Sequence, residues 1–172
     1  MNGLVRLLYG IRHVLVKLLQ WAAIVIMTVL VVDVLWGVFS RYAMGHQSPW
    51  TEEVATILLM WISLLGASLA YAEKGHLGVD YFVGKLEPSA QRTNEILVHL
   101  IVGLFSAAVM VYGGWILFSR TLESGQTLPA LKIQAGYKYI VVPISGCFMV
   151  LFAMEHILDL LNARNKQGEA AQ

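Results

Sequence analysis

Long uncharged runs alternate with short charged ones along this chain. Trp21 to Phe39 is interrupted only by Asp33, while Val54 to Tyr71, Ile96 to Phe118 and Tyr139 to about Met154 contain no Asp, Glu, Lys or Arg. The last run keeps a helical pattern as far as Leu161, taking in Glu155 and Asp159. A bilayer core of about 30 Å needs about 20 apolar residues in helical form. Lipid offers no partner to a backbone N–H or C=O, so such runs cross as helices. The pattern therefore predicts an all-α integral membrane protein, a single membrane domain over 1–172, with spans at about 21–39, 52–71, 95–118 and 139–161. The first span is too long for a cleavable signal, and no A-x-A site follows it.

Two flanking stretches read as short interfacial amphipathic helices. In residues 4–20, Arg6, His13, Lys17 and Gln20 share one stripe, while Leu4, Leu7, Leu8, Ile11, Leu15 and Leu18 cover much of the rest. Arg12 lies off that polar stripe. This composition suits a helix lying along a membrane surface. In residues 77–87, Val79, Phe82, Val83 and Leu86 recur at helical spacing before Pro88, which predicts a second surface helix.

Orientation follows from the basic residues. Arg6, Arg12, Lys17, Lys74, Lys85, Arg92, Arg164 and Lys166 fall on one side, and Arg41, Arg120, Lys132 and Lys138 on the other. The richer side is expected to be cytoplasmic, with both termini on it. Trp36, Tyr42, Trp50, Tyr112, Trp115, Tyr137 and Tyr139 would then form an aromatic belt at the outer interface. Trp61 falls near the middle of the second span. Its indole N–H needs a partner there, so it is expected to face protein.

Composition agrees with a membrane protein and removes other classes. The 172 residues are 58% apolar and 13% charged, with a mean hydropathy of +0.66, against about a quarter charged in soluble domains. A net charge of +1 without a dense basic run gives no nucleic-acid-binding face. Cys147 stands alone in an apolar stretch, so neither an internal disulfide nor a zinc cluster is expected. No P-loop, dinucleotide fingerprint or nucleophile elbow is present, so soluble-enzyme chemistry is not expected and no cofactor or metal is called.

Four features could carry chemistry or contacts. Asp33 is ionisable inside a span, which is a functional signal by default; it could meet water, a hydroxyl or a partner subunit, or serve a proton or ion relay. Glu155 and Asp159, one turn apart, are too few for a cation site and invite Arg12, Lys17 or a partner subunit. His99 and His156 lie near the same membrane face and could in principle flank a haem. Ser63, Gly66, Ala67 and Ala70 on the second span, and Gly103, Ala107, Met110 and Gly114 on the third, form small-residue stripes of the kind that let helices approach closely. They could serve packing within the chain or contact with another protein.

The stretch SPWTEE at 48–53 reads locally as a helix start. Ser48 suits the N-cap, Pro49 the first helical position and Trp50 the interface. Glu52 and Glu53 fall in the first turn, where the helix dipole favours negative charge. They point about 100° apart, so they are poorly placed to share one ion.

In linear order, SRY at 40–42, SPWTEE, a Trp at 61 and LLGASLAYAEKGHLGVD at 64–80 resemble the small membrane subunit of tripartite ATP-independent periplasmic (TRAP) transporters, the DctQ-like family. The matching positions are Arg41, Pro49, Trp50, Glu52, Glu53, Trp61, Gly66, Ala67, Gly75, His76, Val79 and Asp80, and TLPALKIQAGYKYIVVPISG at 127–146 matches more loosely, with Pro143. The resemblance implies a small, non-catalytic scaffold subunit in a bacterial inner membrane. Its expected partners are a large multi-span permease subunit and a periplasmic substrate-binding protein. Import would be coupled to an ion gradient, commonly sodium, and the solute would be an organic anion such as a C4-dicarboxylate, a sialic acid or another sugar acid. Within such a complex, Glu53 is expected to point into protein, to Arg41 or to a donor on the partner. Glu52 is expected to be the more exposed of the two, where the binding protein docks. The competing readings are a free-standing four-helix proton-coupled transporter using Asp33, and a haem-bearing redox anchor using His99 and His156.

Overall fold

The computed structural model describes residues 2–46, 48–73 and 88–169, with side chains described at residue 10 and over 12–46, 48–73 and 94–160. The surface helix expected at 77–87, and with it His76 and Asp80, lies outside the described residues. Helix α1 is Asn2–Ala43, α2 is Pro49–Ala72 and α3 is Pro88–Phe105. The last runs into a π-helical segment, Ser106–Gly113, and then into α4, Gly114–Glu123; a 3₁₀ turn at Ala135–Tyr139 leads into α5, Val141–Glu169. Among the described residues, four continuous stretches are long and apolar enough to cross a bilayer: Arg12–Ala43, Pro49–Ala72, Asn94–Glu123 and Ala135–Leu160. The protein is an all-α, multi-pass membrane protein.

One boundary differs from the hydropathy reading. Residues 4–20 are not a separate helix but the first half of α1, which runs 42 residues without a break. No proline interrupts its i→i−4 bonding, and helices break mainly at such residues. At 1.5 Å per residue α1 is about 63 Å long, roughly twice a hydrocarbon core of about 30 Å. A large part of it therefore lies outside the apolar layer.

Packing runs in the order α1, α2, α5, then α3 with the π segment, so the second and fourth spans form the centre. The core contains Leu19, Leu65, Tyr71, Ala72, Val141, Phe152 and Ala153. Helices in lipid gain little from burying apolar surface, so close approach at small residues drives their association. Ser68 Oγ on α2 lies 3.2 Å from the carbonyl of Ser145 on α5, and both residues are fully buried. A Cβ added at Gly103 would stand 3.3 Å from Cβ of Ala153, and one at Gly146 only 2.7 Å from Cβ of Met110. Gly114 is equally tight, since its absent Cβ would be 2.8 Å from Val142 and 3.1 Å from Pro143. Pro143 itself is buried at the third position of α5, where a missing N–H costs no intrahelical bond.

The two small-residue stripes have different fates. On the third span, Gly103, Met110 and Gly114 meet α5, although Ala107 is exposed. On α2, Ser63, Ala67 and Ala70 face outward and nothing lies within 4 Å of a Cβ built at Gly66. Most of α1 beyond its contact with α2 is also an exposed apolar surface. The aromatic residues Trp36, Tyr42, Trp50, Tyr112, Trp115 and Tyr137 are exposed as well.

Candidate functional site

Polar groups gather at the two ends of the bundle. The first end holds the α1–α2 connection and the long loop between α4 and α5. That loop folds back on itself: Leu128 N–H donates to Ile133 O at 2.8 Å, Ala135 N–H to Gln126 O at 2.8 Å and Lys132 N–H to Leu128 O at 2.8 Å. Lys132, with φ of 53°, turns its tip. The N–H groups of Ala130 and Leu131 at that tip are left to find partners outside the loop. Glu53 supplies both. Its Oε1 accepts from Ala130 N–H and its Oε2 from Leu131 N–H, each at 2.9 Å.

Among the described residues Glu53 points into the chain's own loop and not to Arg41. Glu52, one residue earlier, is exposed. Trp61 finds its partner at the same end, its indole N–H donating to Lys138 O at 3.2 Å. The span-two helix, the loop and the start of α5 are thus tied by two side chains of α2. Between them lies an open cleft of about 550 Å³ lined by Pro49, Glu52, Glu53, Thr56, Ile57, Leu128, Pro129, Ala130 and Lys138.

The α2 start differs in one detail from the local reading. Ser48 holds the N-cap position with an extended backbone, but its hydroxyl makes no cap bond. Thr51 Oγ1, buried, donates to Ser48 O at 2.7 Å instead, and Ser48 N–H reaches the buried Ser40 Oγ at 3.4 Å. Ser48 is committed to fastening the α1–α2 connection. Pro49 stands at the first helical position, as its fixed φ favours.

Arg41 and Glu52 line a second, smaller cavity of about 200 Å³ with Asp33, Val34, Gly37, Val38, Thr51 and Ala55. Asp33 is only 4% exposed, and neither carboxylate oxygen has a hydrogen-bond partner among the described residues.

At the opposite end Arg12 takes two roles. Its Nη2 donates to the C-terminal carbonyl of α2 at Ala72 O, at 2.8 Å, and its Nε lies 3.6 Å from Glu155 Oε2. A guanidinium at a helix C-terminus meets both an orphan carbonyl and the negative end of the dipole. Gln20 Nε2 donates to Glu73 Oε1 at 3.0 Å beside it. Tyr71 Oη is 2.8 Å from His99 Nδ1, and the His99 and His156 ring centroids are 4.8 Å apart, edge to face. Rings in direct contact leave no slot for a macrocycle between them, which removes the haem arrangement that would use this pair.

Among the positions singled out in the sequence, Glu53 and Trp61 are brought to one end of the bundle with Pro49, Trp50 and Glu52. Gly66 and Ala67 sit on the outward face of α2, and Pro143 is buried against Gly114. The loop-tip amides and the Arg12–Ala72 bond carry no sequence signal, because backbone donors and acceptors look alike at every residue.

Comparison with known proteins fits this architecture. The family model described as "Tripartite ATP-independent periplasmic transporters, DctQ component" matches residues 30–163. The sialic acid TRAP transporter small permease protein of Vibrio cholerae is 25% identical over 152 residues, covering 88% of this chain and 86% of the relative. The C4-dicarboxylate TRAP transporter small permease protein of Rhodobacter capsulatus is 23% identical over 105 residues, 61% of this chain and 46% of that protein. The isethionate TRAP transporter permease protein DctMQ of Oleidesulfovibrio alaskensis is 29% identical over 108 residues, covering 63% of this chain but only 17% of the much longer relative. Such small permeases work with a large permease subunit; they are parts of inner-membrane transporters and not enzymes. With its four spans and a match across most of its length, this chain belongs to the DctQ-component family of tripartite ATP-independent periplasmic transporters.

Proposed function

We propose that this chain is the scaffold subunit of a binding-protein-dependent importer of organic anions, bracing a large permease subunit in which the solute and a coupling ion, sodium by preference, are carried. Both termini face the cytoplasm, so the end bearing Glu53 and the α4–α5 loop faces the periplasm and the substrate-binding protein. The C4-dicarboxylate, sialic acid and isethionate named for the relatives support a small organic anion as the solute class. The positive-inside count supports the orientation.

The observation that carries this reading is how the polar groups inside the described spans are used. Ser40, Ser68, Ser145 and Trp61 bond to backbone carbonyls of the chain itself. A substrate path would need polar groups converging on a cavity near mid-membrane. Among the described residues Asp33 is the buried acid of the first span, and the carboxylate that shares its cavity, Glu52, is an exposed residue at the start of α2. What remains outward is apolar and small-residue surface, which suits helix contacts.

Uptake tests the proposal. In cells expressing the binding protein and the large subunit, deleting this chain should abolish uptake of radiolabelled solute from a panel of C4-dicarboxylates, sialic acid and isethionate. Restoring the chain should restore uptake, and replacing sodium by choline should remove it. Normal uptake by a correctly inserted large subunit alone would overturn the scaffold role.

A further inference from the structure

The α1–α2 pair has a groove along one side. Near the Arg41 end it contains the 200 Å³ cavity of Asp33, lined by Val34, Val38 and Ala55 among others. Farther along, an apolar cavity of about 580 Å³ is lined by Ala23, Ile24, Met27, Thr28, Val31, Val32 and Ile62. Met27, Val31, Val34 and Val38 follow one another on α1 at steps of four, three and four, and Ala55 and Ile62 are seven apart on α2. Such spacings keep residues on one helix face, so both cavities open on the same side of the pair. All four α1 residues are about half exposed. From Ala23 to Arg41 the groove runs eighteen residues, about 27 Å at 1.5 Å per residue, close to the thickness of a hydrocarbon core of about 30 Å.

Asp33 gives the groove its chemistry. It lies about 12 Å along α1 from Arg41 at 1.5 Å per residue, on the α2-facing stripe with Leu30, Gly37 and Ser40, all buried. A buried carboxyl group with no hydrogen bond is unfavourable, and a cationic donor brought by a partner helix would both satisfy it and hold it ionised. The cavity lining sets two carboxyl groups, Asp33 and Glu52, against one guanidinium, Arg41, so one carboxyl group has no cation there. A lipid acyl chain offers that carboxyl group no partner. A helix of matching length with one cationic side chain does.

We propose that this groove seats a transmembrane helix of the large permease subunit, and that this helix sets a lysine or arginine opposite Asp33. The inference rests on the scaffold reading above and assigns the face through which it acts. The small-residue face of α2 at Ser63, Ala67 and Ala70 is the rival surface and lies elsewhere on that helix.

The test uses the full complex, co-expressed with a tagged large subunit of its transporter in membranes. Benzoylphenylalanine incorporated in place of Val34 or Val38 should photo-crosslink to the large subunit. The same probe in place of Val25 or Val29, on the other side of α1, or in place of Ala67, should give at least tenfold less product. Asp33→Leu should lower recovery of the large subunit on this chain at least tenfold, and Asp33→Asn by less. Failure of wild-type chain to co-purify with the large subunit would overturn the scaffold reading itself. Wild-type assembly combined with crosslinks confined to Ala67, or to a second copy of this chain, would overturn the groove assignment and leave the scaffold reading standing. Undiminished recovery with Asp33→Leu would overturn the ion pair, as would Asp33→Asn abolishing uptake while assembly is unchanged, since Asp33 would then serve an ion. The crosslinks are read with Asp33 in place, so the groove assignment does not depend on an Asp33 variant folding.

Discussion

Glu53 gives the most exacting test of how the end of the bundle bearing the α4–α5 loop is held together. Its two oxygens take separate backbone donors, Ala130 N–H and Leu131 N–H, both at 2.9 Å. Hydrogen bonds to a charged group contribute roughly 1.5–3 kcal/mol each. Ala130, Leu131 and Glu53 are half-buried, so water can replace part of a lost bond and the lower figure applies. Glu53→Gln keeps one acceptor oxygen and turns an NH₂ toward the other donor, which loses about one bond, about 1.5 kcal/mol. Glu53→Ala loses both, about 3 kcal/mol. With about 1.4 kcal/mol per factor of ten, opening of the loop tip should rise about tenfold and about a hundredfold respectively. Hydrogen–deuterium exchange of the amides at 130 and 131, followed by fragment mass spectrometry in nanodiscs, reads that opening directly. Glu52→Gln, at an exposed side chain one residue away, should leave it unchanged. Exchange at 130 and 131 that is the same in Glu53→Ala as in the wild type would refute the clamp and return Glu53 to a helix-dipole role.

Other substitutions separate tight from open positions. Gly146→Ala places a methyl 2.7 Å from Met110, and overpacking of this kind costs about 1–3 kcal/mol, so the midpoint of thermal unfolding in detergent should fall. Gly66→Ala, with nothing within 4 Å, should not move it, and equal effects would contradict the packing described. Arg12→Ala removes the bond to Ala72 O and the contact with Glu155; a loss of about 1.5–3 kcal/mol should appear as faster exchange at the end of α2 and over residues 12–20. Trp61→Phe deletes the N–H donated to Lys138 O while keeping an aromatic body, so it should cost about 0.5–1.5 kcal/mol in the same thermal assay.

How much of this was legible beforehand depends on the kind of residue. The spans came through because a helix in lipid must satisfy its own backbone, so about 20 apolar residues in a row are themselves the signal. The Arg12–Glu155 contact is one of the pairings the sequence offers, since Glu155 and Asp159 are too few for a cation site and invite Arg12, Lys17 or a partner subunit. The length of α1 is not legible at residues 4–20, because amphipathicity reports which face is wet, not whether a helix continues. At Ser48, propensity named a cap, but Ser40 and Thr51 together met the needs of that turn.

The short charged stretch before α2 shows where sequence stops. On its own the chain determined four apolar helices, a family, an indole needing a partner and a pair of carboxylates at a helix start. Only the tertiary structure decided that Glu53 holds a loop tip more than seventy residues away, that Trp61 ties to Lys138, and that Asp33 is buried beside a groove on the α1–α2 pair. Hydropathy is a sum over neighbours in sequence, so it survives without coordinates. A hydrogen bond to a main-chain amide depends on where two distant segments come to rest, and no side-chain letter records it.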